Sequence, residues 1–105
     1  VAVEDALVTI PIEEELDLHS FQAREIPDVV TSYLDACQER GLRCVRLVHG
    51  RGKGVQRALV HRLLSTRADV VEFRDARPEE GGWGATRVWL RRARERDDRD
   101  GTVLE

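Results

Sequence analysis

The 105-residue chain has two cysteines, three prolines, no methionine and a single lysine. Cys37 and Cys44 offer no metal-ligand spacing, and a secreted disulfide scaffold would be denser in cysteine, so a reducing, cytoplasmic setting is the expectation. No stretch is long and apolar enough to span a bilayer, and the first residues lack the basic-then-apolar pattern of a signal peptide. Leu104-Glu105 could be an expression scar, and Val1 need not be the natural start. The formal net charge of -3 disfavours nucleic-acid binding through overall charge alone. Missing too are the Rossmann glycine spacing, a P-loop Ser or Thr after Lys, and a Gly-x-Ser-x-Gly elbow.

What is present is concentrated. The only lysine, Lys53, sits in Val48-His49-Gly50-Arg51-Gly52-Lys53-Gly54, between an apolar run and a helix-like segment. Glycine lets backbone approach a ligand closely, and a helix N-terminus with unpaired N–H groups suits an anion. This stretch therefore reads as a phosphate-contacting loop. Arg40, Arg43, Arg46, Arg51, Lys53, Arg57 and Arg62 fall in one run without an acidic residue. A local basic patch on an acidic chain follows.

At this length one domain with one core is expected. Glu15 to His19 alternates polar and apolar, a strand with Leu16 and Leu18 inward and Asp17 and His19 on the other face. Ser20 could cap the next helix. Between Gln22 and Arg40 the residues Ile26, Val29, Val30, Tyr33, Leu34 and Cys37 form a helical stripe, with Pro27 in the first turn and Gly41 as the stop. Cys44–Val48 is a second strand. Val55–Thr66 is a second helix, with Val55, Ala58, Leu59 and Leu63 on one face, and His61 on its surface. Val70–Phe73 and Thr86–Leu90 are further strands, joined by a loop rich in Pro and Gly.

The order β-α-β-α-β-β predicts an α/β two-layer sandwich: a four-stranded mixed sheet, its first three strands mainly parallel, with two helices on one face. The other face would be open to a partner. Residues 1–15 read as an N-terminal arm, extended from Leu7 to Ile12. Residues 92–105 read as a charged tail.

Ligands of parallel α/β units sit beyond the carboxyl ends of the strands. His19 ends the first strand and His49 the second, so both project to the rim that carries the glycine loop. Imidazoles move protons near neutral pH, and Arg51 and Lys53 can hold phosphate oxygens. Asp17 could orient His19, hold a metal ion or simply face solvent. In the second glycine cluster, Gly81-Gly82-Trp83-Gly84, the indole could stack on a base or close the core edge.

Three ordered motifs, Leu16-Asp17-Leu18-His19, Val48-His49-Gly50-Arg51-Gly52 and Gly81-Gly82-Trp83-Gly84-Ala85-Thr86-Arg87-Val88, resemble those of the Smr (small MutS-related) domain family, of the stand-alone bacterial type, over residues 16–91. Ser20 departs from the family's usual Gly, and Lys53-Gly54 extends the loop. The resemblance implies a two-layer α/β sandwich and endonuclease activity on DNA or RNA, on mRNA at collided ribosomes in some members. By that resemblance Asp17, His19 and His49 are the candidate catalytic residues. Gly50, Arg51, Gly52, Lys53, Gly54, Arg57, Gly82, Trp83 and Gly84 are the candidate nucleic-acid contacts. A divalent ion (Mg or Mn) is an expectation for DNA nicking only. A binding module without catalysis, and a small-molecule phosphate binder, are the competing readings. Nucleic acid, with the ribosome as a possible setting, is the expected partner, and no membrane.

Overall fold

The computed structural model describes residues 10–52 and 54–91. Lys53, most of the expected arm and the whole of the expected tail lie outside the described residues. Strand β1 (Glu14–Asp17), helix α1 (Ile26–Glu39), β2 (Cys44–Val48), α2 (Val55–Thr66), β3 (Val70–Asp75) and β4 (Ala85–Leu90) follow in the expected order. Short 3-10 turns fill Ala23–Glu25, Pro78–Glu80 and Gly82–Gly84.

The α1 entry shows why the pattern folds this way. The Gln22 N–H donates to Glu25 Oε1 at 2.7 Å, so a capping box at Gln22 makes the start rather than Ser20. Pro27 falls in the first α-helical turn, where its missing N–H costs nothing. Gly41, with φ +75°, turns the chain out of the helix as expected.

The sheet order is β1-β2-β4-β3, with β1 and β2 parallel and β4 antiparallel to both its neighbours. The first three strands do run the same way, but β4 inserts between β2 and β3. All six of its residues are buried. Both helices lie on one face, over a core that joins Ile26, Val30, Leu34 and Cys37 of α1, Val60 and Leu64 of α2, and Val45, Leu47, Val88 and Leu90 of the sheet.

Two expectations need correction. The inward seam of α2 is Val60 and Leu64, with Leu59 and Leu63 packed at its edge, whereas Val55 and Ala58 are exposed. The helix is turned so that Arg57 and His61 approach β3 and β4. The other sheet face is closed at its centre. Trp89 is buried between the guanidinium groups of Arg74 and Arg87, at 5.4 and 4.9 Å from its ring centre. Arg87 in turn donates to the Ile10 carbonyl. Alternating charged residues on β3 and β4 thus fold over an aromatic ring instead of pointing to solvent.

Candidate active site at the carboxyl ends of β1 and β2

The parallel pairing of β1 with β2 sets Asp17 beside Val48, so the two strands end level. The Leu18 N–H still donates to the Val48 carbonyl at 2.7 Å, and the chain then turns, with Phe21 N–H donating to Leu18 O at 3.0 Å. His19 is carried on that turn. Its backbone N–H donates to Asp17 Oδ1 at 3.0 Å, and its ring Nδ1 lies 2.7 Å from the same oxygen. The His19 backbone N–H, and then its ring, hold the Asp17 carboxyl below the usual range, so this group is a carboxylate at neutral pH. A carboxylate only accepts, so Nδ1 of His19 carries the proton. In the neutral ring Nε2 is then an unprotonated base. The imidazole is 73% exposed.

The loop after β2 supplies the facing wall. Gly50, Gly52 and Gly54 all have positive φ, at +79°, +35° and +82°, which explains why glycine alternates there. Gly54 is the N-cap of α2, and the first helical bond runs from Ala58 N–H to Gly54 O at 2.9 Å. The N–H groups of Val55, Gln56 and Arg57 therefore have no partner within the helix. Gln56 Nε2 donates to the Phe21 carbonyl at 2.8 Å and ties the start of α2 to the turn that bears His19. Sequence reasoning passed over Gln56, because nothing local marks a contact made 35 residues away.

A cleft of about 220 Å³ results, lined by His19, His49, Gly50, Arg51, Gly52, Gly54, Val55 and Gln56. The second glycine cluster braces it. The N–H groups of His49 and Gly50 both donate to the Gly84 carbonyl, at 3.1 and 2.8 Å. Side chains at Gly82 or Gly84 would meet Arg51: a Cβ would lie 3.0 Å from its Nη2 and 3.1 Å from its Cγ, respectively. Those glycines thus seat Arg51.

The remaining expected contacts divide. Trp83 is exposed, 5.7 Å beneath the Arg57 guanidinium, and does not close the core. Arg57 is committed to Asp75, with Nη2 2.8 and 3.0 Å from its two oxygens. Arg40 and Arg46 pair with Glu14 and Glu15, so with Arg57 three of the seven cations of the basic run meet carboxylates from β1 and β3. His49 is buried, its Nδ1 2.9 Å from Gly50 O and its Nε2 2.8 Å from Thr86 Oγ1. His61 is half-buried rather than on the surface, 2.9 Å from the same Thr86 hydroxyl and edge-on to Phe73. Burial pushes both imidazoles below their usual range.

Residues 16–91 match the family model for the Smr domain. The chain belongs to the Smr family. It is 38% identical over 86 residues to the endonuclease MutS2 of Thermomicrobium roseum and 44% identical over 79 residues to that of Pelotomaculum thermopropionicum. Those alignments cover 81% and 75% of this chain but only 11% and 10% of the relatives, so it spans about a tenth of their length. The Smr domain of Thermus thermophilus MutS2 superposes with a TM-score of 0.72 at 37% identity, over 74% of this chain and 98% of that one. YdaL, a stand-alone small MutS-related protein from Escherichia coli, gives 0.73 at 32% identity, over 78% and 67%. The four-stranded mixed sheet with its two helices is thus the Smr fold.

Among the described residues, no three His, Cys, Asp or Glu side chains converge on one point. At the rim, Asp17 Oδ1 and His19 Nδ1 are bonded to each other. The described residues therefore offer no all-protein cage for a divalent ion. No helix of the described residues is long and apolar enough to cross a membrane.

Proposed function

We propose that this Smr domain is an endonuclease that cleaves the phosphodiester backbone of nucleic acid, with His19 as general base. The observation that carries the reading is the anchored imidazole: Asp17 holds Nδ1–H, and Nε2 is left as a base at the mouth of the cleft. Opposite it stand Arg51 and the first N–H groups of α2, which suit a phosphate.

On RNA, His19 Nε2 takes the proton of a 2′-hydroxyl. The oxygen attacks the adjacent phosphorus, and the bond from phosphorus to the 5′-oxygen breaks. Arg51 and the helix N-terminus offset the charge that builds on the phosphoryl oxygens, and water at the open rim protonates the leaving oxygen. The products are a 2′,3′-cyclic phosphate and a 5′-hydroxyl. On DNA the same base would activate a water molecule. Trp83 supplies an exposed ring for an unstacked base, a contact worth about 1–3 kcal/mol in single-strand binders. His49, with both nitrogens engaged, shapes the loop in this reading and transfers no proton.

The test is incubation with labelled single- and double-stranded RNA and DNA, with and without chelator, followed by analysis of the ends. Cleavage of RNA to cyclic phosphate ends, unaffected by chelator, supports the reading. Salt-sensitive binding without any product would leave a nucleic-acid-binding module instead.

A further inference from the structure

We propose that Thr86 and His61 are positioning residues of the phosphate-facing loop, holding the Nδ1–H form of His49 in place through a hydrogen-bond chain that runs in one direction. The Gly50 carbonyl, 2.9 Å from His49 Nδ1, can only accept, so Nδ1 carries the proton. The neutral ring then presents a bare Nε2 to Thr86 Oγ1 at 2.8 Å, and the single hydroxyl proton must fill that contact. Thr86 has no second proton for His61. His61 Nε2, 2.9 Å away, is therefore the donor. The order is His61 Nε2–H to Thr86 Oγ1, Thr86 O–H to His49 Nε2, His49 Nδ1–H to Gly50 O. Two neighbouring rings, 6.2 Å apart, hold opposite tautomers.

The chain ends on the peptide that joins the two glycine loops. Gly50 accepts from His49 through its carbonyl and donates to the Gly84 carbonyl through its N–H. With both groups held at φ +79°, the next residue, Arg51, is aimed into the cleft. Three further groups face the pair. Arg57 from α2 opposes a second proton on either ring, Phe73 of β3 packs on His61, and Asp75 of β3 lies 4.0 Å from His61 Nε2 while bound to Arg57. A second proton on His49 would point two N–H donors at the Thr86 oxygen and leave the hydroxyl proton without its acceptor. The desolvation that holds both rings neutral keeps that state rare.

The tautomer assignment stands on hydrogen-bond geometry alone; its consequence for ligand binding rests on Arg51 meeting phosphate, as proposed above. Long-range nitrogen–proton NMR of the intact chain at neutral pH reads the tautomers directly. His49 as Nδ1–H and His61 as Nε2–H is the expected pair, and His49 as Nε2–H overturns the proposal whatever the protein binds. Thr86→Val, which keeps the shape but loses the hydroxyl, takes the donor from His49 Nε2 and the acceptor from His61 Nε2–H, so both Nε2 resonances should shift and the Kd for a short single-stranded RNA should rise about tenfold, while Thr86→Ser keeps both near wild type. Unchanged His49 and His61 Nε2 resonances in folded Thr86→Val would refute the chain. If Thr86→Val does not fold, the wild-type spectrum and Thr86→Ser still decide. Failure of the wild type to bind RNA, with the tautomers as assigned, would remove the functional reading and leave the chain intact.

Discussion

His19 and His49 end neighbouring parallel strands and face one cleft, yet their surroundings differ completely. His19 rides on an exposed turn, with one nitrogen anchored by a carboxylate and the other turned to solvent. His49 is buried, with one nitrogen on a carbonyl and the other on a hydroxyl. In the proposed mechanism the same side chain just past two neighbouring strands is thus an open base in one case and a structural peg in the other. Register and neighbour separate them: Asp17 pairs with Val48, so buried Leu18 stands level with His49 and His19 falls one residue later on the turn, whereas Thr86 of β4 reaches the His49 ring.

Breaking this comparison at His19 should have the largest effect. His19→Ala should lower the cleavage rate by about 10²–10⁴-fold in single-turnover kinetics while RNA affinity stays within a factor of about two. Its unfolding free energy should move by no more than about 0.5 kcal/mol, as for an exposed side chain. Asp17→Asn releases the tautomer without removing the base, and should cost roughly 10–100-fold in kcat at unchanged KM.

At His49 the comparison predicts a stability defect. His49→Ala removes the acceptor of the Thr86 hydroxyl proton and the donor to the Gly50 carbonyl, opens a cavity beneath the loop, and should cost about 2–3 kcal/mol in denaturant unfolding. The smallest effect is one of pH. His49 and His61 are held below the usual imidazole range, so the unfolded chain binds protons that the folded one does not. Their contribution to stability is complete above pH about 6.5 and is lost as pH falls through the folded-state values, so the thermal midpoint should drop on acidification. His61→Phe should flatten part of that dependence.

The element order, the Gly41 stop, the strand-end placement of His19 and the glycine loop were legible because each follows from local periodicity or backbone freedom. The insertion of β4 was not. It depends on which strand pairs with which, and the Pro- and Gly-rich connection from Ala76 permits either edge or centre. The same pairing hid the rest. Thr86 sits unremarked in a strand pattern, and only the register of β4 against β2 brings it to His49. His61 and Arg57 read as surface or phosphate-facing groups until the rotation of α2 turns them toward Phe73 and Asp75. Gly82 and Gly84 read as nucleic-acid contacts in the sequence, whereas in the structure their lack of a side chain makes room for Arg51.

The division between the two histidines can be tested most directly by chemical rescue. His19→Gly leaves an open notch at the rim, so free imidazole in solution should restore RNA cleavage in proportion to its concentration. His49→Gly should gain nothing, because its ring acts through fixed buried contacts. Cleavage by His19→Gly at the wild-type rate without imidazole, or rescue of His49→Gly instead, would contradict the account.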